Sequence, residues 1–305
     1  GSAADDVTLG TAITGGSVDL GGGADRLTLF SSGANRLTVH NVETIIGGAA
    51  DDHVILGRAV NGAVIDLNGG ADRLTLSAAG PNTLTVHDVE TIIGGAAADT
   101  VTLGSTMTRG VVDLGGGYDV LLLAAAGNRL QVSNVEAVIG TEGRDRVQVR
   151  DATNTLLIGG AGDDTLIGGR GNDTLLGGRG NDVLTGGTGA DRFFYGDLAE
   201  NILQGQQVTG LTGWDSALIG RDRITDFTPG TDKLVLTFLD ANTGQAGDQG
   251  FRYGGQTGAI VNNGLGWFWD NGRTIVQIEV NGDGRADLAI EMTGTLRLSA
   301  WDFLL

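Results

Sequence analysis

The chain lacks cysteine altogether and is poor in proline, histidine and aromatic residues. Its 305 residues include no Cys, 2 Pro, 3 His and 5% aromatic residues. The absence of cysteine excludes disulfide frameworks, zinc–thiolate sites and thiol redox chemistry. No apolar stretch reaches the roughly 18 residues of a membrane-spanning helix, so we expect no membrane span. The N-terminus has no basic segment followed by an apolar one, so no Sec-type signal peptide is expected there.

The sequence motifs of the common enzyme classes are missing as well. The three histidines (His40, His53 and His87) are scattered, and no H-E-x-x-H zinc motif occurs. The chain has no G-x-S-x-G nucleophile elbow, P-loop or dinucleotide-binding fingerprint. We therefore predict a protein that is not an enzyme.

Glycine and acidic residues are abundant instead. The chain has 55 Gly and a net charge of −18. This charge repels nucleic acid and anionic membranes, so we expect neither as a direct partner. It also makes a metal-free chain repel itself, which predicts that folding is coupled to the binding of cations.

Four nine-residue units run head to tail through residues 159–194. They read GGAGDDTLI, GGRGNDTLL, GGRGNDVLT and GGTGADRFF, and each fits G-G-x-G-x-D-x-U-x, where U is apolar. The glycines permit tight turns, and the apolar residue marks a short strand. One aspartate per unit supplies carboxylate oxygens, and Ca²⁺ takes about six to eight oxygen ligands. The spacing predicts a parallel β-roll stapled by Ca²⁺.

These units resemble the RTX (repeats-in-toxin) family of secreted Gram-negative proteins, whose signature is this nonapeptide. In that family each unit forms a half-turn, so units two apart stack on one edge and share an ion. The resemblance implies that Asp164 acts with Asp182, and Asp173 with Asp191, in binding several Ca²⁺ ions. It also implies backbone carbonyl ligands at Gly160, Gly162, Gly169, Gly171, Gly178, Gly180, Gly187 and Gly189.

A longer repeat of 47 residues occupies the first half of the chain. VTLG (7–10), VILG (54–57) and VTLG (101–104) keep this step, and NVETIIGG (41–48), DVETIIGG (88–95) and NVEAVIGT (134–141) form another recurring element. Three copies at a fixed period predict a solenoid. This half resembles, more loosely, the repeat regions of RTX adhesins and type-I-exported S-layer proteins.

Degenerate loops within this repeat contain further candidate Ca²⁺ ligands. Three loops keep a glycine at the fourth position and end at Asp25, Asp72 and Asp119. The other candidates at the sixth position of a loop are Asp6, Asp52, Asp99 and Asp145. The alternative is that these aspartates cap turns through local hydrogen bonds. Glu43, Glu90 and Glu136 also recur, and we expect them to face solvent or to brace a loop.

The C-terminal third resembles the region that follows the β-roll in serralysin-type exported proteases. The resemblance rests on GADRFFYGDLAEN (189–201), on DRITDFTPGTDKLVLT (222–237) and on IEVNGDGRADLAIEMTG (278–294). It implies that the chain keeps its native C-terminus, with an uncleaved type I secretion signal at Asp302, Phe303, Leu304 and Leu305.

Within this third, NGDGRAD (281–287) offers candidate Ca²⁺ ligands at Asn281, Asp283 and Asp287. A hairpin turn is the favoured alternative, since Asp-Gly suits a tight bend between strands. Trp267, Trp269 and Trp301 are expected in the core, with a sugar-stacking face as the alternative.

Together these patterns predict an all-β fold, a right-handed parallel β-roll or β-solenoid stapled by Ca²⁺ with a C-terminal β-sandwich-like cap. We divide the chain into degenerate repeats (1–158), regular calcium-binding β-roll (159–194) and cap with secretion region (195–305). Residues 1–194 are expected to form one continuous roll.

The function that we predict is a non-enzymatic calcium-binding module of a secreted bacterial surface protein, an adhesin or S-layer-like protein that folds on extracellular Ca²⁺ after type I secretion. The expected partners are the type I secretion machinery and cell-surface polysaccharide or other copies of the chain. Two alternatives stay open: the tail of a secreted hydrolase whose catalytic domain lies outside this sequence, and a carbohydrate-binding surface.

Overall fold

The computed structural model describes residues 1–196, 221–244 and 249–305. The chain folds as two compact units. Unit 1 comprises residues 1–141 and 146–153, and unit 2 comprises residues 142–145 and 154–305. Both units are built from β-strands, and the described residues include one short 3₁₀-helix, Ala300–Asp302. Within those residues, no helix has the length and apolar character needed to cross a bilayer.

Unit 1 contains sixteen short strands joined by tight loops. The strands are β1 (Asp6–Thr8), β2 (Ser17–Asp19), β3 (Arg26–Thr28), β4 (Arg36–His40), β5 (Thr44–Ile46), β6 (His53–Leu56), β7 (Asn61–Asp66), β8 (Arg73–Thr75), β9 (Thr83–His87), β10 (Thr91–Gly95), β11 (Thr100–Leu103), β12 (Gly110–Gly115), β13 (Val120–Leu122), β14 (Arg129–Ser133), β15 (Ala137–Ile139) and β16 (Arg146–Val149).

These strands form a parallel β-solenoid with two faces. In unit 1 the odd-numbered strands line up in chain order in one sheet and the even-numbered strands in the other. The strands pair in parallel, with Leu27 beside Ile45 and Ile45 beside Ile65. These three side chains are fully buried, while the residues that precede and follow each of them on its strand point outward. The alternation of apolar and polar residues therefore fills a thin core between the two sheets.

The 47-residue repeat spans an odd number of strands. Its VTLG, VILG and VTLG elements form β1, β6 and β11, five strands apart, so successive copies lie on opposite sheets. Each copy also bends at the same place, where Asn41, Asp88 and Asn134 have φ values of 52°, 49° and 51°. Asn and Asp tolerate this left-handed conformation better than other side chains, which explains their place at the head of the N/D-V-E motif.

Unit 2 is built in the same way, and its described residues form twelve strands. They are β17 (Leu156–Ala161), β18 (Thr165–Gly169), β19 (Thr174–Arg179), β20 (Val183–Gly187), β21 (Arg192–Gly196), β22 (Arg223–Ile224), β23 (Lys233–Phe238), β24 (Arg252–Gln256), β25 (Gly264–Asp270), β26 (Arg273–Glu279), β27 (Leu288–Thr293) and β28 (Phe303–Leu304).

The C-terminal strands of unit 2 extend both of its sheets. One sheet has the order β17-β19-β21-β23-β28, and the other has the order β18-β20-β22-β27-β26-β25-β24. Strands β25, β26 and β27 pair antiparallel, whereas β17 to β23 pair in parallel. Trp267 is buried in this part, and its indole Nε1 lies 3.3 Å from the Tyr253 hydroxyl. The cap is thus a two-layer continuation of the roll. Trp269 and Trp301 are 41% and 83% exposed, so the expectation that they lie in the core was wrong.

The predicted all-β roll with a sandwich-like cap is therefore confirmed as the fold class. The division into three domains stays a prediction. Part of the serralysin-like motif, residues 197–201, lies outside the residues that the structure describes.

Candidate metal centre

The aspartate of each regular nonapeptide is buried. Asp164, Asp173, Asp182 and Asp191 are each 1% exposed. Each follows a glycine-rich loop and precedes a strand whose apolar side chains are buried in the core. Because the aspartate is joined to this strand, its carboxylate is buried as well. A buried carboxylate is costly unless hydrogen bonds or a cation compensate its charge.

The two aspartate pairs implied by the RTX resemblance do come together. The backbone N–H of Asp164 donates to Asp182 Oδ1 at 2.8 Å, and the backbone N–H of Asp173 donates to Asp191 Oδ1 at 2.9 Å. Each Oδ1 therefore accepts the amide of the equivalent residue one turn earlier. We call each such series of side chains a carboxylate ladder.

The second carboxylate oxygen lies against a glycine of its own loop, and a carbonyl oxygen of the next turn lies against the same glycine. A Cβ atom on Gly159 would collide with both Asp164 Oδ2 and the Gly177 carbonyl oxygen. Asp164 Oδ2 is buried and has no hydrogen-bond partner among the described residues. Gly168 stands in the same relation to Asp173 Oδ2 and the Gly186 carbonyl. A buried carboxylate oxygen that has no donor and lies near a carbonyl oxygen favours a bound cation or a proton on the carboxylate.

The loop glycines keep this space open. Gly178 has a φ of 103°, and a Cβ on it would collide with the Gly160 carbonyl oxygen. Gly180 has a φ of 144°, and a Cβ there would collide with the Gly162 carbonyl oxygen. Only glycine combines these φ values with such a close backbone approach. The nonapeptide therefore needs glycine at its second and fourth positions.

The charge state of the ladder in the metal-free fold follows from its burial. Burial raises the pKa of Asp164 to about 7, and the nearby carboxylates of Asp182 and Asp145 act in the same direction. Burial also raises the pKa of Asp191. A bound cation would reverse this effect, because it stabilises the ionised carboxylates.

Comparison with known families identifies these loops. A model of the RTX calcium-binding nonapeptide repeat, four copies long, matches residues 149–184 and again residues 158–193. This part of the chain therefore consists of RTX calcium-binding nonapeptide repeats. No curated protein matches the chain. A solved structure, the solution structure of the AlgE6R3 subunit from the Azotobacter vinelandii mannuronan C5-epimerase, is similar over 69% of this chain and 80% of that chain, at 20% identity and a TM-score of 0.24.

The residues present fit calcium. The donor set consists of oxygen alone, and Asp164 Oδ2 is a buried acceptor without a hydrogen-bond donor among the described residues. The carbonyl oxygen that lies against Gly159 together with Asp164 Oδ2 belongs to Gly177, the first glycine of its unit. The RTX resemblance had implied the carbonyls of the second and fourth glycines. The Gly169 carbonyl accepts the N–H of Thr188 at 3.0 Å. Which glycine carbonyls bind the ion stays a prediction.

Unit 1 contains carboxylate ladders of its own. The backbone N–H of Asn35 donates to Asp52 Oδ1 (2.8 Å), that of Asp52 to Asp72 Oδ1 (2.6 Å), and that of Asp72 to Glu90 Oε2 (2.8 Å). The next copy of the repeat contains an equivalent series: the N–H of Asn82 donates to Asp99, that of Asp99 to Asp119, and that of Asp119 to Glu136. The recurring glutamates therefore brace the loops, as one of the two expectations had it.

Two of these ladder positions resemble the regular sites in charge state. Burial raises the pKa of Asp72 to about 7, with Asp52 and Glu90 adding to the effect, and burial likewise raises the pKa of Asp119 to about 7. The Oδ2 atoms of both residues and of Asp25 and Asp99 are buried and have no hydrogen-bond partner within the described part of the chain. Gly47 also lies against Asp52 Oδ2 and the Leu67 carbonyl, as Gly159 lies against its own pair.

The alignment of the first loop needs a correction. The sequence placed Asp6 at the sixth position of the first loop. Asp6 is exposed instead, and it lies on strand β1 opposite Arg26 of strand β3. The backbone N–H of Asp5 donates to Asp25 Oδ1 at 2.8 Å, which makes Asp5 the equivalent of Asp52 and Asp99. The exact 47-residue step from Asp52 leads to Asp5, whereas counting from the first glycine of GSAADD led to Asp6.

Two aspartates of the cap belong to the ladders of unit 2 and were missed. The N–H of Asp182 donates to Asp222 Oδ1 at 2.9 Å, and the N–H of Asp191 donates to Asp232 Oδ1 at 3.0 Å. Burial raises the pKa of Asp232. Both are followed by a cationic residue and an apolar strand residue, as Asp191 is. This local pattern was the signal that could have revealed them. The backbone N–H of Asp145, a sequence candidate, donates to Asp164 Oδ1 at 2.7 Å.

The NGDGRAD segment forms the turn between β26 and β27. Asp287 Oδ1 accepts the side-chain amide of Asn281 at 2.8 Å, and Asp283 Oδ1 accepts the Arg285 N–H at 2.8 Å. Glu279, which the sequence did not single out, accepts backbone N–H groups from four residues. Although burial opposes them, these donors lower the pKa of Glu279. The oxygens of the turn are thus engaged by protein donors, and a metal role for Asn281, Asp283 and Asp287 stays a prediction.

The predicted secretion-signal residues are docked on unit 2. Asp302 is buried and accepts the Gly230 N–H at 2.6 Å and the Ser299 N–H at 2.7 Å. Strand β28, Phe303–Leu304, pairs in parallel with β23, and Leu305 is exposed. The Phe303 ring lies 5.6 Å from that of Tyr253. Their role in secretion stays a prediction.

Proposed function

We propose that this chain is a non-enzymatic, calcium-triggered folding module of a secreted bacterial surface protein. Calcium binding belongs to its RTX repeats, and the proposal adds that calcium switches the chain between a loose state and the folded roll. The single observation that carries the proposal is the buried Oδ2 of Asp164, which has no hydrogen-bond partner among the described residues and lies, like the Gly177 carbonyl oxygen, against Gly159.

Electrostatics supports a switch of this kind. Each ladder stacks carboxylates on consecutive turns, and burial together with repulsion from Asp182 and Asp145 raises the pKa of Asp164 to about 7. At neutral pH a substantial fraction of the Asp164 carboxyl must therefore ionise within the fold, which destabilises it. A divalent cation removes this cost and adds binding free energy that only the folded state can gain.

The expected affinity suits the surroundings of a secreted protein. Extracellular calcium modules bind with dissociation constants of about 10⁻⁴–10⁻³ M. A chain with such sites stays loose in calcium-poor cytoplasm and folds after export. The export route that we propose is type I secretion, which rests on the sequence of the C-terminal third.

Circular dichroism of the chain freed of calcium on a chelating resin tests the proposal. At pH 7.5 we expect little β-signal without calcium, full signal in millimolar Ca²⁺, and no comparable change with Mg²⁺. A variant with Asn at Asp164, Asp173, Asp182 and Asp191 should lose this response. The matched control changes four exposed acids, Asp51→Asn, Asp88→Asn, Glu142→Gln and Asp270→Asn, and should keep it. A wild-type chain that is already fully folded without calcium at pH 7.5 would overturn the proposal.

A further inference from the structure

The outward face of the even-numbered sheet in unit 1 is basic, although the whole chain is acidic. We call it the basic face and define it by the outward residues on and beside strands β4 to β16. The even-numbered strands β4 to β16 contain a single acidic residue, Asp113, and the acids that lie beside these strands without being buried include Asp51, Glu90 and Asp151. The cationic side chains and the histidine on the face are Arg36, His53, Arg73, Arg109, Arg129, Arg146 and Arg150.

Three of these arginines line a cavity. The cavity has a volume of about 430 Å³, and Arg109, Arg129 and Arg146 line it together with Gln131 and Gln148. Arg129 pairs directly with Arg146, and Gln131 with Gln148, on neighbouring strands. Because neighbouring strands lie about 4.8 Å apart, the guanidinium groups recur at that interval along one row, with a row of amides beside them.

The three cavity arginines form no ion pair within the described residues. The ion pairs found there are Gly1–Asp5, Arg144–Asp163 and Arg273–Glu291. Further along the face, burial together with the nearby Arg36 and Arg73 lowers the pKa of His53. Cations kept together without acidic partners, in a chain that has nearly twice as many acidic as basic residues, indicate an anionic ligand.

We propose that the basic face binds an acidic polysaccharide. Guanidinium groups bind carboxylates through paired N–H donors. The side-chain amides of Gln131 and Gln148 can donate hydrogen bonds to the hydroxyl groups of a sugar ring and accept hydrogen bonds from them. The exposed Val111 gives the cavity an apolar floor for a sugar ring. Strands β4 to β16 contain no Phe, Tyr or Trp, so the stacking platform of a single-stranded nucleic acid is missing from this face.

This inference deepens the proposed function, because it names the surface partner of the same module. It uses side chains of unit 1 that are not among the candidate calcium ligands. Its test therefore runs in saturating calcium, with circular dichroism to verify the fold. A failure of glycan binding by a folded chain is then distinct from a failure of calcium-dependent folding.

Isothermal titration with short oligogalacturonates at low ionic strength tests the proposal. We expect binding that weakens as salt is added, and none to the same oligomer after its carboxyl groups are reduced to alcohols. The triple variant Arg109→Gln, Arg129→Gln, Arg146→Gln should bind roughly a hundredfold more weakly, at roughly fivefold for each exposed ion pair lost. The control triple Arg26→Gln, Arg170→Gln, Arg192→Gln removes the same charge from exposed positions outside the basic face and should bind as wild type does.

Three outcomes would overturn the proposal. The first is equal binding by the two triple variants, which would place the contact elsewhere or attribute it to calcium bridges on the acidic loops. The second is undiminished binding of the carboxyl-reduced oligomer. The third is binding of oligothymidylate as tight as that of the oligogalacturonate, which would make the face a general polyanion surface.

Discussion

Acid should stabilise the calcium-free fold, and Asp164 shows why. This carboxyl is 1% exposed, and its pKa is raised from 3.8 to about 7 in the fold. A group whose pKa is raised on folding holds its proton in the folded state at a pH where the unfolded chain has lost it. Its stabilising contribution is fully present below about pH 4 and disappears as the pH rises through about 7.

The size of the effect follows from proton linkage. Between about pH 4 and 7, one extra proton in the folded state changes the free energy of unfolding by about 1.4 kcal/mol per pH unit. Over the whole window Asp164 alone accounts for about 4 kcal/mol, an order-of-magnitude figure. Asp72 and Asp119, with pKa values also raised to about 7, act in the same direction.

Urea unfolding of the calcium-free chain at pH 4.5, 5.5 and 6.5, where the protonated fold is expected to be populated, measures this slope. Asp164→Asn should be more stable than wild type at pH 6.5, because its amide stays neutral in the folded and the unfolded chain. It should also lower the slope by one proton and weaken the response to calcium. The control Asp163→Asn changes the neighbouring residue, whose pKa is lowered by hydrogen bonds to Asn181 and Arg144, and it should leave the acid stabilisation intact. Wild-type stability that falls as the pH is lowered from 6.5 to 4.5 would refute the reasoning.

Three further substitutions test the loops and the cap. Gly178→Ala should lower the free energy of unfolding, measured in saturating calcium, by about 1–2 kcal/mol or more, because the φ of Gly178 is 103°. The control Gly258→Ala, where a Cβ meets nothing within 4 Å, should lower it by less than about 0.5 kcal/mol. Glu90→Ala should cost about 1–3 kcal/mol in urea unfolding, because it leaves the buried Asp72 N–H without an acceptor, whereas Glu90→Gln should cost little. Asp302→Ala removes two backbone hydrogen bonds and should speed amide hydrogen exchange in strand β28; unchanged exchange would contradict that role.

Strict periodicity made the regular loops predictable. The four nonapeptides keep one register, and the pairing of Asp164 with Asp182, which the RTX resemblance implied, is found on consecutive turns. The glycine positions also follow from the repeat, because left-handed φ values such as that of Gly178 leave glycine as the suitable residue. In this stretch local conformation and long-range stacking select the same residues.

Prediction was weaker where the spacing varies. In unit 1, neighbouring strands pair residues 17, 18, 20 or 21 positions apart, as in Leu37–Val54, Leu27–Ile45, Ile45–Ile65 and Val18–Val39. A one-residue error in counting then turns a side chain from the inside to the outside, which is why Asp6 was chosen in place of Asp5. Asp222 was missed as a ladder residue for a related reason. It lies 40 residues beyond Asp182, which is not a multiple of the nine-residue repeat.

Net charge concealed a further feature. A value of −18 argued against polyanionic partners when averaged over the chain. The arginines that begin successive strands fall on one sheet only after the chain is wound, because residues 17 or 20 positions apart become neighbours. Sequence reasoning without the register could not group Arg109, Arg129 and Arg146.

The central claim is that Ca²⁺ lies between the ladder carboxylates and the glycine carbonyls of the next turn. Anomalous scattering from crystals grown in calcium tests it most directly. We predict a calcium peak within coordination distance of Asp164 Oδ2 and the Gly177 carbonyl oxygen, and an equivalent peak beside Asp173 Oδ2 and the Gly186 carbonyl. A folded, calcium-saturated chain with no anomalous peak at either place would contradict the account.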